Sequence, residues 1–273
     1  METLSGHPPH DSGPLEPEGR AQARASRADR WLPWIACLLA LCPYYAFLWP
    51  DGRIIRGGGE IDYECYQLPV HRFVRSELLQ GRFPLWMPSM GCGMPLHAAQ
   101  QAAVTYPLLT PFLLLFSANY GLRFALFFHA ALGFCGQFLL ARRLGLTRPA
   151  SAFAALVFTL AGYPVTHLRA GHVNLLLAYG LLPWSFLALV RLLARPGSRA
   201  AAGLAFVLGL LLLTGHPQLP YHALLFGVLW ALGSLVKGGG ETPAARDRVG
   251  GGVRHRGRPP HLRPVAPLAG ALP

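Results

Sequence analysis

The sequence predicts an all-α, polytopic transmembrane helix bundle whose first extracytoplasmic loop is structured and contains surface or re-entrant helices. Three observations predict it. Hydrophobic residues make up 52% of the chain and charged ones only 13%, a balance for which the bilayer is the natural solvent. Apolar runs recur from Trp31 to Val236. The carboxylates are segregated: Asp51, Glu60, Asp62, Glu64 and Glu77 follow the first apolar run, and no Asp or Glu occurs again before Glu241.

A helix needs about 20 apolar residues to cross the hydrocarbon core. Spans are expected at Trp31–Trp49, Tyr120–Leu140, Ser151–His167, Val173–Leu193, Ala200–Thr214 and Leu219–Val236, so that a transmembrane domain of about six spans covers 31–236 with its outer loop at 50–104. Thr105–Phe116 is about three turns long and carries Pro107 and Pro111. That suits an interfacial or re-entrant helix, not a crossing. The polar, Pro-rich stretch 1–30 is expected to be a disordered cytoplasmic N-terminus. Trp31–Trp49 reads as a retained signal anchor, because no small-x-small cleavage pattern follows before Asp51.

Arginines set the orientation. Arg20, Arg24, Arg27 and Arg30 precede the first span, Arg142, Arg143 and Arg148 follow the second, and Arg191, Arg195 and Arg199 follow the fourth. With Thr105–Phe116 not crossing, all of these fall on the cytoplasmic side and the acidic loop falls outside. The chain is then a multi-pass membrane protein with its N-terminus cytoplasmic, and its first partner is the lipid bilayer. The net charge of +12 comes partly from this pattern and partly from Arg246, Arg248, Arg254, Arg256, Arg258 and Arg263. Those residues sit among Gly, Pro and Ala without interleaved aromatics, so no nucleic-acid partner is expected. The segment 237–273 lacks hydrophobic periodicity and is expected to be disordered or to come from a shifted frame or truncated gene.

Within the outer loop, Leu68–Leu79 spaces Leu68, Val70, Phe73, Val74 and Leu78 at near-helical intervals, with His71, Arg72, Arg75 and Glu77 between them. An amphipathic helix lying on the membrane surface is expected, stopped at Gln80-Gly81. Phe83-Pro84-Leu85-Trp86 and Gly91-Cys92-Gly93-Met94-Pro95 form a turn-dense stretch. Cys65 and Cys92 share this loop and can pair in an oxidising compartment. Cys37, Cys42 and Cys135 lie in spans as small apolar groups. His129 and Gln137 lie near one face of the second span and suit hydrogen bonding in the bundle core. Trp49, Tyr106, Tyr120, Tyr163, Trp184 and Tyr221 read mainly as interface anchors.

The order Asp62, Gln67, Pro69, then Gly81-Arg82-Phe83-Pro84-Leu85-Trp86, Gly91-Cys92-Gly93-Met94-Pro95, Gln100 and Tyr106-Pro107 resembles the YfhO-like bacterial membrane proteins. Arg142-Arg143-Leu144-Gly145-Leu146, Gly162-Tyr163, Gly171-His172 and Leu182-Pro183-Trp184 continue the likeness, which covers Asp51 to Val236. The resemblance implies an N-terminal portion of a C-type glycosyltransferase, a class that takes sugars from polyprenyl-phosphate carriers on the outer membrane face. It also implies an essential acid in the first outer loop, which Asp62 matches, a polyprenyl-phosphate-linked sugar as partner, and the bacterial inner membrane as location. Members of that class have about a dozen spans, so the chain is expected to be a fragment.

Transfer from a lipid phosphate needs a base for the acceptor hydroxyl and cations or donors for the departing phosphate. Asp62 and Glu64 are the catalytic candidates. No cofactor is required by the pattern, and a divalent cation held by a loop carboxylate is one way to use Asp62. Gln67 and Gln100 are candidate substrate contacts in the loop. Gly171-His172-Val173-Asn174 and Gly215-His216-Pro217-Gln218 repeat one pattern, Gly-His then a carboxamide. Arg169, His172, His216 and Gln218 are therefore candidates for the phosphate or sugar. The same turns also read as plain helix ends, with Asp62 and Glu64 as solvated acids paired to nearby arginines. The alternative functions are a transporter or flippase of lipid-linked or small polar substrates, or a catalytically inactive membrane fragment. A proton-coupled carrier predicts ionisable groups in later spans, and those spans hold no carboxylate.

Overall fold

In a bilayer, apolar helices gain little by hiding from lipid, so their association depends on close van der Waals approach and polar contacts. The computed structural model, which describes residues 27–45 and 62–236, shows where this approach occurs. The chain runs α1 (Arg27–Tyr45), a π-helical turn (Tyr63–Gln67) leading straight into α2 (Leu68–Leu79), β1 (Trp86–Met87), β2 (Met94–Pro95) and a 3-10 turn (Gln100–Ala102). Then follow α3 (Thr110–Leu115), α4 (Ala118–Arg143), α5 (Arg148–Leu160), α6 (Gly162–Ala170), α7 (Val173–Ala194), α8 (Ser198–Leu213) and α9 (Gln218–Val236).

α4 and α7 form the centre, with α1 and α5 packed on one side and α8 and α9 on α7. Glycines make the central contact. A Cβ at Gly180 on α7 would collide with the His129 carbonyl of α4. One at Gly133 would lie 3.2 Å from the Gly180 Cα, and one at Gly136 would lie 2.6 Å from the Trp184 indole nitrogen. That indole donates to the Leu132 carbonyl at 2.8 Å. Trp184 is thus part of the seam and not an interface anchor. Ala36 and Ala40 of α1, Phe134 of α4, and Ala152 and Ala155 of α5 make a second small-residue contact.

Among the described residues the fold is all-helical apart from the two-residue β1–β2 ladder, in which Trp86 pairs with Pro95 and Met87 with Met94. Among the same residues, three segments are long and apolar enough to cross a membrane: Ala118–Arg143, Arg148–Ala170 and Val173–Ala194. They make this a candidate multi-pass membrane protein in contact with the bilayer. They coincide with the expected spans at Tyr120–Leu140, Ser151–His167 and Val173–Leu193. The apolar helices Trp31–Cys42 and Ser198–Leu213 are shorter. Ser198–Leu213, at 16 residues, rises about 24 Å against a core of about 30 Å. The expectation of a full span at Ala200–Thr214 is corrected accordingly. The span expected over Ser151–His167 is broken at Ala161, which is extended (ψ 150°) between α5 and α6. Pro164 explains the break, since it offers no N–H to the Leu160 carbonyl and its ring would strike it. The expectations for 1–26, for Asp51 and Glu60, for Trp49 and for 237–273 lie outside the described residues.

α2 has the expected bounds and ends at Gly81 with φ +71°. Its setting differs from a helix lying on lipid. Val70, His71 and Val74 are buried, and α2 packs on α3, α4 and the 3-10 turn. The helix expected over Thr105–Phe116 is shortened to the six residues of α3. It is drawn onto α4 at Gly121, where a Cβ would lie 2.7 Å from the Phe112 carbonyl. Tyr106, expected at an interface, is fully buried and hydrogen-bonded to His129 Nε2 at 2.5 Å. His129 Nδ1 donates to the Ala125 carbonyl at 2.7 Å, fulfilling its expected core role. Cys65 and Cys92 are free and exposed, so the disulfide allowed by their shared loop is not formed.

Gly180→Ala should lower the unfolding midpoint in detergent micelles, at a cost of about 1–3 kcal/mol for overpacking. Gly209→Ala, where a Cβ meets nothing within 4 Å, should leave it unchanged. Equal midpoints for the two variants would remove the glycine seam as the reason for the α4–α7 contact.

Candidate functional site

Two left-handed glycines bring distant turns onto the loop. Gly171 ends α6 at φ +80° and packs on Tyr63, where a Cβ would lie 2.7 Å from the Tyr63 Cβ. Gly215 ends the α8 turn at φ +78°, and a Cβ there would collide with the Gln100 carbonyl. An L side chain at either position would meet both backbone strain and a steric wall. The loop, the α6–α7 turn and the α8–α9 turn therefore meet at one end of the bundle.

Asn174 ties the three together. It is 3% exposed. Its amide nitrogen donates to the Thr214 carbonyl at 2.7 Å, and its oxygen accepts from Gln67 Nε2 at 2.8 Å. Because the Asn174 oxygen must be the acceptor, the Gln67 amide is oriented with Nε2 towards it. Gln67 Oε1 and His71 Nε2 are buried without a hydrogen-bond partner. His71 Nδ1 donates to the Gln67 carbonyl at 2.6 Å. Burial pushes the His71 pKa down to about 4, against the carbonyl bond that raises it.

Beside this hub stands the acid. His172 Nε2 lies 3.3 Å from Asp62 Oδ2, with side-chain exposures of 32% and 66%. His172 Nδ1 faces His167 Nδ1 at 2.7 Å. Tyr163 meets His167 edge-on at a centroid distance of 4.5 Å. His216 plays another part: its Nδ1 accepts the Leu219 N–H at 3.3 Å and so caps the start of α9. Burial lowers its pKa, helped by the positive fields of His167 and His172. The two Gly-His turns thus share a glycine geometry but not a histidine role. Their carboxamides diverge too, Asn174 being buried and Gln218 exposed.

Of the residues singled out in the sequence, Asp62, Gln67, His172 and His216 are gathered at this end. Glu64 is exposed on the same π-turn as Asp62. Gln100 contributes its backbone carbonyl against Gly215, while its side chain is exposed. Arg169 is exposed at the end of α6. Among the described residues no group of three or more His, Cys, Asp or Glu is placed to hold a metal ion.

Two residues went unselected in the sequence. His167 was counted as the end of a span. Arg123 sits in the second turn of α4 and is 4% exposed. Its Nε donates to Asn119 Oδ1 at 3.1 Å, and the Tyr63 hydroxyl donates to the same oxygen at 2.8 Å. Burial raises the Tyr63 pKa, opposed by the Arg123 charge. Arg123 thereby braces the turn that presents Asp62. Its sequence signal was available: it is the one charge in α4 before Arg142, and such a charge in an apolar helix marks a function or a built partner. Compared with protein-family models, curated proteins and solved structures, the chain matches none.

Asn174→Ala should destabilise the protein by about 1–3 kcal/mol, because Gln67 Nε2 and the Thr214 carbonyl lose a buried partner. Gln218→Ala should be neutral, and thermal unfolding of both variants distinguishes them. His71 gives a pH test. Its folded pKa lies below the ordinary value, so the unfolded state takes up the proton first and stability falls as pH drops from 6.5 towards 4. Between pH 6.5 and 5 the loss from this residue is about 2 kcal/mol. His71→Asn should lack that part of the acid slope, and an identical slope in both proteins would show that His71 is not the source.

Proposed function

We propose that the chain is a glycosyltransferase-like membrane protein, acting on a polyprenyl-phosphate-linked sugar at the outer face of the bacterial inner membrane. The carrying observation is the Asp62–His172 contact of 3.3 Å, which joins the acid of the first loop to a turn more than a hundred residues away. The likeness to YfhO-like proteins and the positive-inside arrangement of Arg142, Arg143, Arg191 and Arg195 support the same reading. On this reading the site lies at the end of the bundle away from the cytoplasm.

Asp62 is exposed enough to meet an acceptor hydroxyl. As that oxygen attacks the anomeric carbon, its proton passes to the Asp62 carboxylate and the bond from the sugar to the phosphate oxygen breaks. The departing polyprenyl phosphate gains negative charge. Arg169 and His172 are the cationic and donor groups proposed to receive it, with His216, Gln100 and Gln218 bordering the same end. Glu64 stands beside Asp62 as the second carboxylate of the turn. Gln67 is assigned to holding the site together through Asn174 and not to touching substrate, because it is buried. A divalent cation on the Asp62 side would serve the phosphate, though the described residues supply no ready ligand set for it.

The test is sugar transfer from a labelled polyprenyl-phosphate donor in membranes containing the chain. Asp62→Asn should slow it by about a hundredfold or more while membrane insertion stays intact. Cys65→Ser, on the same turn, should keep the wild-type rate. A wild-type rate in Asp62→Asn removes Asp62 from the chemistry.

A further inference from the structure

Two cysteines far apart in sequence meet towards the opposite end of α4 from Asn119 and Arg123. Cys37 lies in α1 and Cys135 in the second half of α4. α1 packs on both α4 and α5, and small residues make that packing close. Cys37 lies against the cluster of Ala36, Ala40, Phe134, Ala152 and Ala155, whose alanines leave only methyl groups between the helices. The Cys37 and Cys135 side chains are near enough to interact with each other. Both are free thiols, Cys37 half-buried and Cys135 exposed.

The same two residues line a cavity of about 410 Å³, together with Trp34, Phe134, Phe138 and Arg148. That volume falls in the range of small-molecule sites, about 300–1,000 Å³. Trp34, Leu38 and Leu39 of α1 are exposed, so the cavity opens on an apolar face that lipid covers. Its walls thus combine aromatic rings, two thiols and a guanidinium. Aromatic walls take a flat apolar ring. A guanidinium donates to a carbonyl oxygen and favours negative charge growing there. Two adjacent thiols give up two electrons when they close to a disulfide. A quinone dissolved in lipid is the class of molecule that uses all three features. A phospholipid uses the apolar walls and the arginine but leaves the thiols idle.

We propose that Cys37 and Cys135 form a redox-active dithiol whose oxidant is a lipid-soluble quinone bound in this cavity. Two S–H bonds break and one S–S bond forms between α1 and α4. The two electrons and two protons pass to the quinone, whose two carbonyl oxygens become hydroxyls. Arg148 stabilises the oxygen that gains charge before its proton arrives, and the hydroquinone leaves into lipid. Thiols at such a site meet a lipid-borne oxidant more readily than an aqueous one. No residue of the Asp62 end takes part, so the redox pair stands or falls apart from sugar transfer.

The experiment uses the full chain in lipid nanodiscs, reduced and then freed of reductant, with decylubiquinone as the probe. Loss of quinone absorbance should match, one for one, the appearance of a disulfide-linked peptide pair containing Cys37 and Cys135 in the mass spectrum. Cys37→Ser and Cys135→Ser should each abolish both signals, and Cys92→Ser should keep them. Diamide, which oxidises paired thiols without needing a binding site, should close the same bond. Arg148→Gln should slow oxidation by decylubiquinone about tenfold or more. Its oxidation by diamide should keep the wild-type rate, which also shows that the variant is folded.

Closure by diamide with none by decylubiquinone overturns the quinone site. So do equal quinone rates in the wild type and Arg148→Gln, the result expected if a phospholipid fills the cavity. Quinone loss that links other cysteines, or no Cys37–Cys135 bond with either reagent, overturns the redox pair itself.

Discussion

Backbone contact between α4 and α7 is the constraint on which the rest of the molecule depends. At Gly180 even a methyl group would strike the His129 carbonyl, so the two helices are as close as main chains allow. This closeness supplies the dispersion contacts that lipid does not compete for. It also settles the height of α7 relative to α4. The first turn of α7 holds His172, Val173 and Asn174, and the first turns of α4 hold Asn119 and Arg123. Fixing one helix against the other therefore fixes both walls against which the Tyr63–Gln67 turn is laid. Tyr63 bonds to the α4 wall and Gln67 to the α7 wall.

The polar residues at that end follow from the same geometry. A loop laid over helix termini must satisfy carbonyls that have no intrahelical donor. Asn174 serves the Thr214 carbonyl, and Arg75 donates to the Phe116 carbonyl at 2.7 Å. Side chains that reach such carbonyls are held firmly, because an unpaired buried polar group costs more than a made bond returns. Asp62 inherits its position from this rigidity. It lies one residue before a tyrosine whose ring is buried and whose hydroxyl is bonded. The acid is thus presented by a fixed turn although its own side chain faces solvent, the arrangement a base needs if substrate is to approach it.

Much of the architecture was legible because its cause is local. Leu68–Leu79 was bounded correctly by its apolar spacing and by Gly81, and Tyr120–Leu140 and Val173–Leu193 by length and apolarity. What could not be read depends on which surface covers a side chain. Spacing places His71 on the polar side of α2, yet it is completely buried. Tyr106 and Trp184 have the composition of interface anchors, but a buried histidine and a glycine notch give their polar atoms partners inside. Pro164 was visible in the sequence, and its effect on the Leu160 carbonyl was the missed step in the Ser151–His167 span. At the site, the two Gly-His turns were found and their glycines do the same work. Their histidines differ because one is followed by a helix start that needs a cap, while the other has His167 five residues behind it. A four-residue pattern carries no information about either neighbour.

Charge balance explains why the Asp62 end is the chemically distinctive one. From 62 to 236 the acids are Asp62, Glu64 and Glu77. Glu77 is held in a two-pronged pair with Arg82, at 2.8 and 2.6 Å, and the guanidinium keeps its carboxyl below the usual range. Asp62 and Glu64 belong to the turn whose Asp62 lies 3.3 Å from His172. Among the described residues, arginines and histidines outnumber acids at that end, and the low dielectric at a bundle end lengthens the reach of each charge. The Asp62–His172 contact is the point at which an acid and an imidazole from distant parts of the chain meet there.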